Sequence, residues 1–125
     1  MSFERALYES LLSSSLRKMN SSDRLVLDSE SSESKFSLAY DSLRECLEAI
    51  ALKKGYKVSN HECYTHFLKE IMSLERESII FDKLRKMRNA VSYYGKRLDA
   101  GLAKELILFC KELIKILRTV IEDEK

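Results

Sequence analysis

The chain has 125 residues and sets 22 Lys or Arg against 20 Asp or Glu, a net charge of +2. That excludes a global field for nucleic acid and leaves local clustering as the source of any such affinity. The length predicts one domain, residues 1–125, with a single core. The absence of proline, with three glycines and 34% charged residues, suits an all-helical chain, because strand edges and tight turns lean on punctuation that is scarce here.

Three cysteines at unrelated spacings indicate neither a disulfide framework nor a zinc site. Cys46, Cys63 and Cys110 each fit an apolar helical stripe, which predicts buried thiols in a reducing compartment. No apolar run reaches membrane-spanning length and the N-terminal stretch is too polar for a signal peptide. The expected location is cytoplasmic.

In chain order, the first helix is expected from Phe3 to about Met19, with Phe3, Ala6, Leu7, Ser10 and Leu11 on its inner side and Ser13, Ser14 and Ser15 weakening it. Ser, Asp and Glu dominate residues 20–33, which predicts a loop anchored by Leu25, Val26 and Leu27. From Glu33 to Lys54, the apolar residues Phe36, Ala39, Tyr40, Leu43, Cys46, Leu47, Ile50 and Ala51 recur at helical spacing, and Gly55 supplies a stop. Ser59 with Glu62 reads as a capping box for a third helix, whose inner face is Cys63, Tyr64, Phe67, Leu68 and Ile71. Ser73 marks a break before a helix over Glu75–Tyr94; with no glycine or proline there, one bent helix from His61 to Tyr94 is the alternative. Asp99 caps a final helix to about Glu122. It carries two adjacent stripes, Leu102/Leu106/Phe109/Leu113/Ile116/Val120 and Ala103/Ile107/Cys110/Ile114/Leu117/Ile121, where a surface helix of a small bundle needs one. The whole is expected to be an all-α antiparallel up-and-down bundle of four to five helices.

The chemistry concentrates at the end of the fourth segment. Ile80, Leu84, Met87, Val91 and Tyr94 share one apolar face, with Gly95 as a left-handed stop. Between Lys83 and Arg97 there are six cations and no acid. Arg85, Lys86, Arg88, Lys96 and Arg97 are the candidate phosphate or nucleic-acid contacts. On charge alone, a solvated basic face is the favoured reading of them.

Arg88-Asn89 followed by Tyr93-Tyr94-Gly95 resembles the Arg-Asn…His motif of HEPN domains, in which Arg and His share one helix. The likeness extends to Ala39–Glu45 and to Gly55–His61, which are similar to helix text of the small archaeal and bacterial type, and covers the chain from about Phe36 onward. Tyr93 stands where the family has His. The resemblance implies a cytoplasmic helical homodimer whose motif faces form a shared cleft. It also implies a partner, a minimal nucleotidyltransferase in a toxin–antitoxin-like pair, and RNA or nucleotide as ligand. It implies catalytic roles for Arg88, Asn89 and Tyr93, and makes Tyr93 or Tyr94 a nucleotide acceptor.

Metal-independent cleavage of RNA needs a cation over the developing phosphorane charge and a group that exchanges protons near neutral pH. Arg88 fits the first need, and Asn89 fits as its orienting group. His has a pKa of about 6.5 and Tyr of about 10, so Tyr93 is a poor base and a better hydrogen-bond donor or stacking ring. His61 and His66 read as structural or exposed. No Gly-rich phosphate loop, cluster of metal ligands or nucleophile signature is present, so no metal or cofactor is expected. Three functions follow: a binding and regulatory module, an endoribonuclease built on Arg88 with an atypical proton-transfer residue, or a plain dimerisation scaffold.

Overall fold

The computed structural model describes residues 4–58 and 60–123, so Phe3 and the Ser59 cap lie outside the described residues. Among these, the chain forms five helices and no strand: α1 (Arg5–Arg24), α2 (Ser32–Lys53), α3 (Glu62–His66), α4 (Glu75–Tyr94) and α5 (Ala100–Asp123). A wider π turn, Phe67–Ile71, continues α3. The expected all-α bundle is what the chain builds.

The helices alternate in direction. Ser15 meets Ser42 and Ser22 meets Lys35, so α1 runs against α2. Gly95 to Asp99 turn α4 back into α5, and Arg76 of α4 reaches Glu112 of α5. Glu33 near the start of α2 accepts a hydrogen bond from the Leu98 amide just before α5, so those two helices run side by side in the same sense. Helix α2 is the central element: Phe36, Ala39, Tyr40, Leu43, Cys46 and Leu47 have no exposed surface. Each large apolar side chain buried this way contributes on the order of 1.5–3 kcal/mol.

The ends follow local chemistry. Gly55 (φ 84°) and Gly95 (φ 65°) are left-handed and stop α2 and α4, a conformation that costs a residue with a Cβ. Asp99 Oδ1 accepts the Leu102 amide at 2.8 Å and caps α5. Ser73 sits at φ 58°, so the chain breaks there without glycine or proline, and His61 to Tyr94 is not one helix. The Leu74 amide donates to the Leu68 carbonyl at 2.8 Å across the break.

Three expectations need correcting. First, α1 does not end near Met19, and residues 20–33 are not one loop: α1 continues to Arg24 and α2 begins at Ser32. Second, the buried face of α1 is Tyr8, Leu11, Ser15 and Ser22, with Leu7 exposed and Ala6 and Ser10 outside as well. The serines do not weaken the helix; they are where it approaches α2. Ser15 Oγ donates to the Ser42 carbonyl at 2.7 Å, Ser42 Oγ donates to the Ser15 carbonyl at 2.6 Å, and Ser22 Oγ donates to the Lys35 carbonyl. Third, Ile71 and Tyr94 are exposed, because each lies at the end of its helical segment, past the last covering neighbour.

The inner layer of α5 draws on both stripes, with Ala103, Leu106, Ile107, Cys110, Leu113, Leu117 and Ile121 buried. Leu102, Phe109 and Ile116 are half-covered. Cys46 and Cys110 are buried and Cys63 is partly exposed; burial pushes the Cys46 thiol up to about 11. No helix among the described residues is long and apolar enough to cross a membrane.

Candidate anion site on helices α2, α3 and α4

The Lys83–Arg97 cations divide between two sides of the molecule. Successive positions on a helix are about 100° apart, so Arg85 and Arg88 turn toward α2 and α3 while Lys83 and Lys86 turn toward α5. Arg88 Nη2 lies 3.6 Å from Asp41 Oδ1 on α2, both side chains a quarter exposed. Its Nε is buried with no hydrogen-bond partner, an uncompensated donor that native structures rarely leave. Arg85 makes two hydrogen bonds to Asp82 Oδ1, at 3.1 and 2.8 Å. Burial works against the charged Asp82 carboxylate, but these bonds and Lys86 Nζ at 3.0 Å hold it below its usual range.

The remaining cations stand elsewhere. Arg97 donates to Glu33 at 2.9 Å and to the Ser29 carbonyl at 2.8 Å, fastening the loop after α4 to the start of α2. Lys83, Lys86 and Lys96 line a separate groove between α4 and α5. Asn89 is half-covered. Tyr93 and Tyr94 are 77% and 84% exposed at the end of α4, where neither closes on Arg88.

The polar end of Tyr40 makes a pairing that periodicity alone did not pick out. Tyr40 is fully buried, stacks on Phe81 at 5.8 Å between ring centroids, and its hydroxyl lies 3.1 Å from His61 Nδ1. The His61 ring packs beside Tyr40 and Tyr64. Burial raises the Tyr40 pKa, opposed by the positive fields of Arg44, Arg85 and Arg88, with Asp41 adding to the rise. The hydroxyl therefore keeps its proton and shares one hydrogen bond with Nδ1, whose direction follows the tautomer of His61. Burial also lowers the His61 pKa, and Arg44, Arg88 and Arg85 lower it further against Asp41. The same four charged residues, Asp41 and Arg44 on α2 and Arg85 and Arg88 on α4, act electrostatically on both rings.

A signal for this cluster does exist in the sequence. Asp41, Arg44 and Glu48 are spaced at three and four on a helix whose other faces are apolar, and Arg44 pairs with Glu48 at 3.1 Å. Polar residues at such positions need partners from elsewhere, and those partners are set by tertiary packing. His66 remains exposed and belongs to a different surface, a shallow depression with Tyr56 and Phe67.

One consequence is measurable. His61 has a folded pKa below its unfolded value of about 6.5, so the unfolded chain binds the proton more readily. Its contribution to stability is full above that value and declines as pH falls from there toward the lower folded pKa. An NMR titration of the His61 ring should give a midpoint below the unfolded value of about 6.5, and Tyr40→Phe should move it. A midpoint at or above that value would mean that neither burial nor the arginine fields act on His61.

Among the described residues, no group of three or more His, Cys, Asp or Glu side chains is placed to hold a metal ion. The arrangement can attract an anion through the partly exposed guanidinium group of Arg88. Set against family models, curated proteins and solved structures, the chain matches none of them.

Proposed function

We propose that the chain is a small HEPN-like binding and regulatory module whose Arg88 pocket takes a phosphate group of RNA or of a nucleotide, and whose protein partner is a minimal nucleotidyltransferase. The observation that carries this reading is Arg88 itself, whose Nε–H is buried and unpartnered and whose one ion pair among the described residues, with Asp41, is long at 3.6 Å. Guanidinium groups suit phosphate because their planar fork donates two parallel hydrogen bonds. Arg88 is more available than Arg44 and Arg85, since its contact with Asp41 is long while those two hold shorter ones.

Fluorescence anisotropy with a short labelled oligoribonucleotide, and competition by AMP, test the proposal at low salt. Arg88→Gln should weaken binding by about tenfold or more, the loss of one charge-assisted hydrogen bond to phosphate being worth about 1.5–3 kcal/mol. Tyr93→Phe should change it little. Unchanged binding in Arg88→Gln would leave Arg88 as a brace between α2 and α4.

A second reading, a metal-independent endoribonuclease, draws on one observation: His61 stands within the field of Arg88. Among the described residues no proton-exchanging group is shown in contact with Arg88, whose one ion pair is with Asp41, and this suits binding better than proton abstraction. The expected result is therefore no rapid RNA cleavage at neutral pH in EDTA. Cleavage lost together in Arg88→Gln and His61→Asn would favour the second reading.

A further inference from the structure

On the far side of α4 from Arg88, helices α4 and α5 leave a groove of about 600 Å³. Its floor is apolar, with Leu84 and Leu106 buried and Ile80, Met87 and Phe109 half-covered. On the same two helices Ile79 and Leu108 are 55% and 56% exposed. An apolar groove open to solvent marks an interaction site more often than a plain surface does.

The charges around the groove are sorted by helix. Its α4 edge carries Lys83 and Lys86, and its α5 edge carries Glu105. The same order repeats one step along, where Arg76 of α4 holds Glu112 of α5 at 3.1 Å. Lys86 is held by Asp82, whereas Lys83 and Glu105 make no ion pair among the described residues.

We propose that this groove is covered by the same groove of a second copy of the chain, the two related by a twofold axis parallel to α4 and α5. The sorted charges select that axis. A twofold parallel to the helices lays the α4 of one protomer on the α5 of its partner, at equal height along the axis. Lys83 then faces the partner subunit's Glu105, twice by symmetry, since an isologous contact repeats each pair. A twofold across the helices would lay α4 on α4 and bring lysines together, a like-charge contact that opposes association. The antiparallel run of α4 and α5 makes the selected pairing a four-helix arrangement, a packing that apolar stripes support. It also covers the half-buried layer of α5, and it leaves each Arg88 pocket on its own protomer instead of in a shared cleft. This inference does not rest on the proposed ligand.

Sedimentation over a concentration series up to the high-micromolar range tests it, with circular dichroism confirming that each variant is folded. The full chain should be dimeric. Lys83→Glu and Glu105→Lys should each weaken the dimer by about tenfold or more, because each homodimer then sets like charges against each other twice. Mixing the two variants in equal amounts should restore association, since in the heterodimer both facing pairs have opposite signs. Neither variant alone nor a contact within one chain produces that recovery. A wild-type chain that stays monomeric, or variants that associate no better mixed than apart, would overturn the proposal. Phe109→Lys, which charges the apolar floor, should also give a folded monomer; a Phe109→Lys dimer as tight as wild type would place the interface elsewhere.

Discussion

Tyr40→Ala should cost about 3–5 kcal/mol, the usual range for truncating a buried aromatic side chain. Against a total stability of about 5–15 kcal/mol for a domain of this kind, that lowers the melting temperature by on the order of 10–20 °C. The reason is the ring's position. It has no exposed surface, packs against Phe36 and Phe81, and sits where α2 meets both α3 and α4. Tyr40→Phe keeps the ring and removes only the hydroxyl, so it should cost about 1 kcal/mol while freeing Nδ1 of His61. Thermal melts of the two variants, read beside anion binding, separate the two roles of Tyr40. A Tyr40→Ala chain that melts like wild type would show that α2 is not the central element.

Ser15→Leu should be the next most damaging single change, at about 1–3 kcal/mol from overpacking, with a further cost of about 1–3 kcal/mol for a buried acceptor left without its donor. Ser15 and Ser42 have essentially no exposed surface, and each hydroxyl donates to the other's backbone carbonyl. Only a small polar side chain fits so close a crossing of α1 and α2. Ser13→Leu, two positions earlier and exposed, should be nearly neutral. Chemical denaturation measures the contrast, and equal midpoints for the two variants would mean that α1 does not dock on α2 through Ser15.

These two positions also show how far the sequence could be read. Tyr40 belongs to a strict apolar stripe, and such a stripe identifies α2 as buried without any knowledge of its neighbours. Ser15 belongs to a run that local propensity counts against a helix. Its stabilising partner is 27 residues away, and no local rule sees that far. The same limit explains why residues 20–24, polar by composition, continue α1: Ser22 is secured by the Lys35 carbonyl of the next helix.

The all-α class, the stops at Gly55 and Gly95 and the cap at Asp99 were determined by the chain itself, whereas the break at Ser73 was left open against one bent helix. Apolar period, left-handed glycine and the Asp99 cap act over one or two helical turns, so they are written locally. The site was only half written. The cation cluster from Lys83 to Arg97 is plain in the sequence, yet charges adjacent along a helix point in different directions, so tertiary packing alone decided which of them meet. It turned Arg88 toward Asp41 and the Tyr40–His61 pair, sent Lys83 and Lys86 to the α5 groove, tied Arg97 to Glu33, and left Tyr93 in solvent. Burial and the fields of Arg44, Arg85 and Arg88 then lowered the affinity of His61 for a proton. That property depends on groups of α2 and α4 acting on a ring at the start of α3, and it exists only once the bundle has closed.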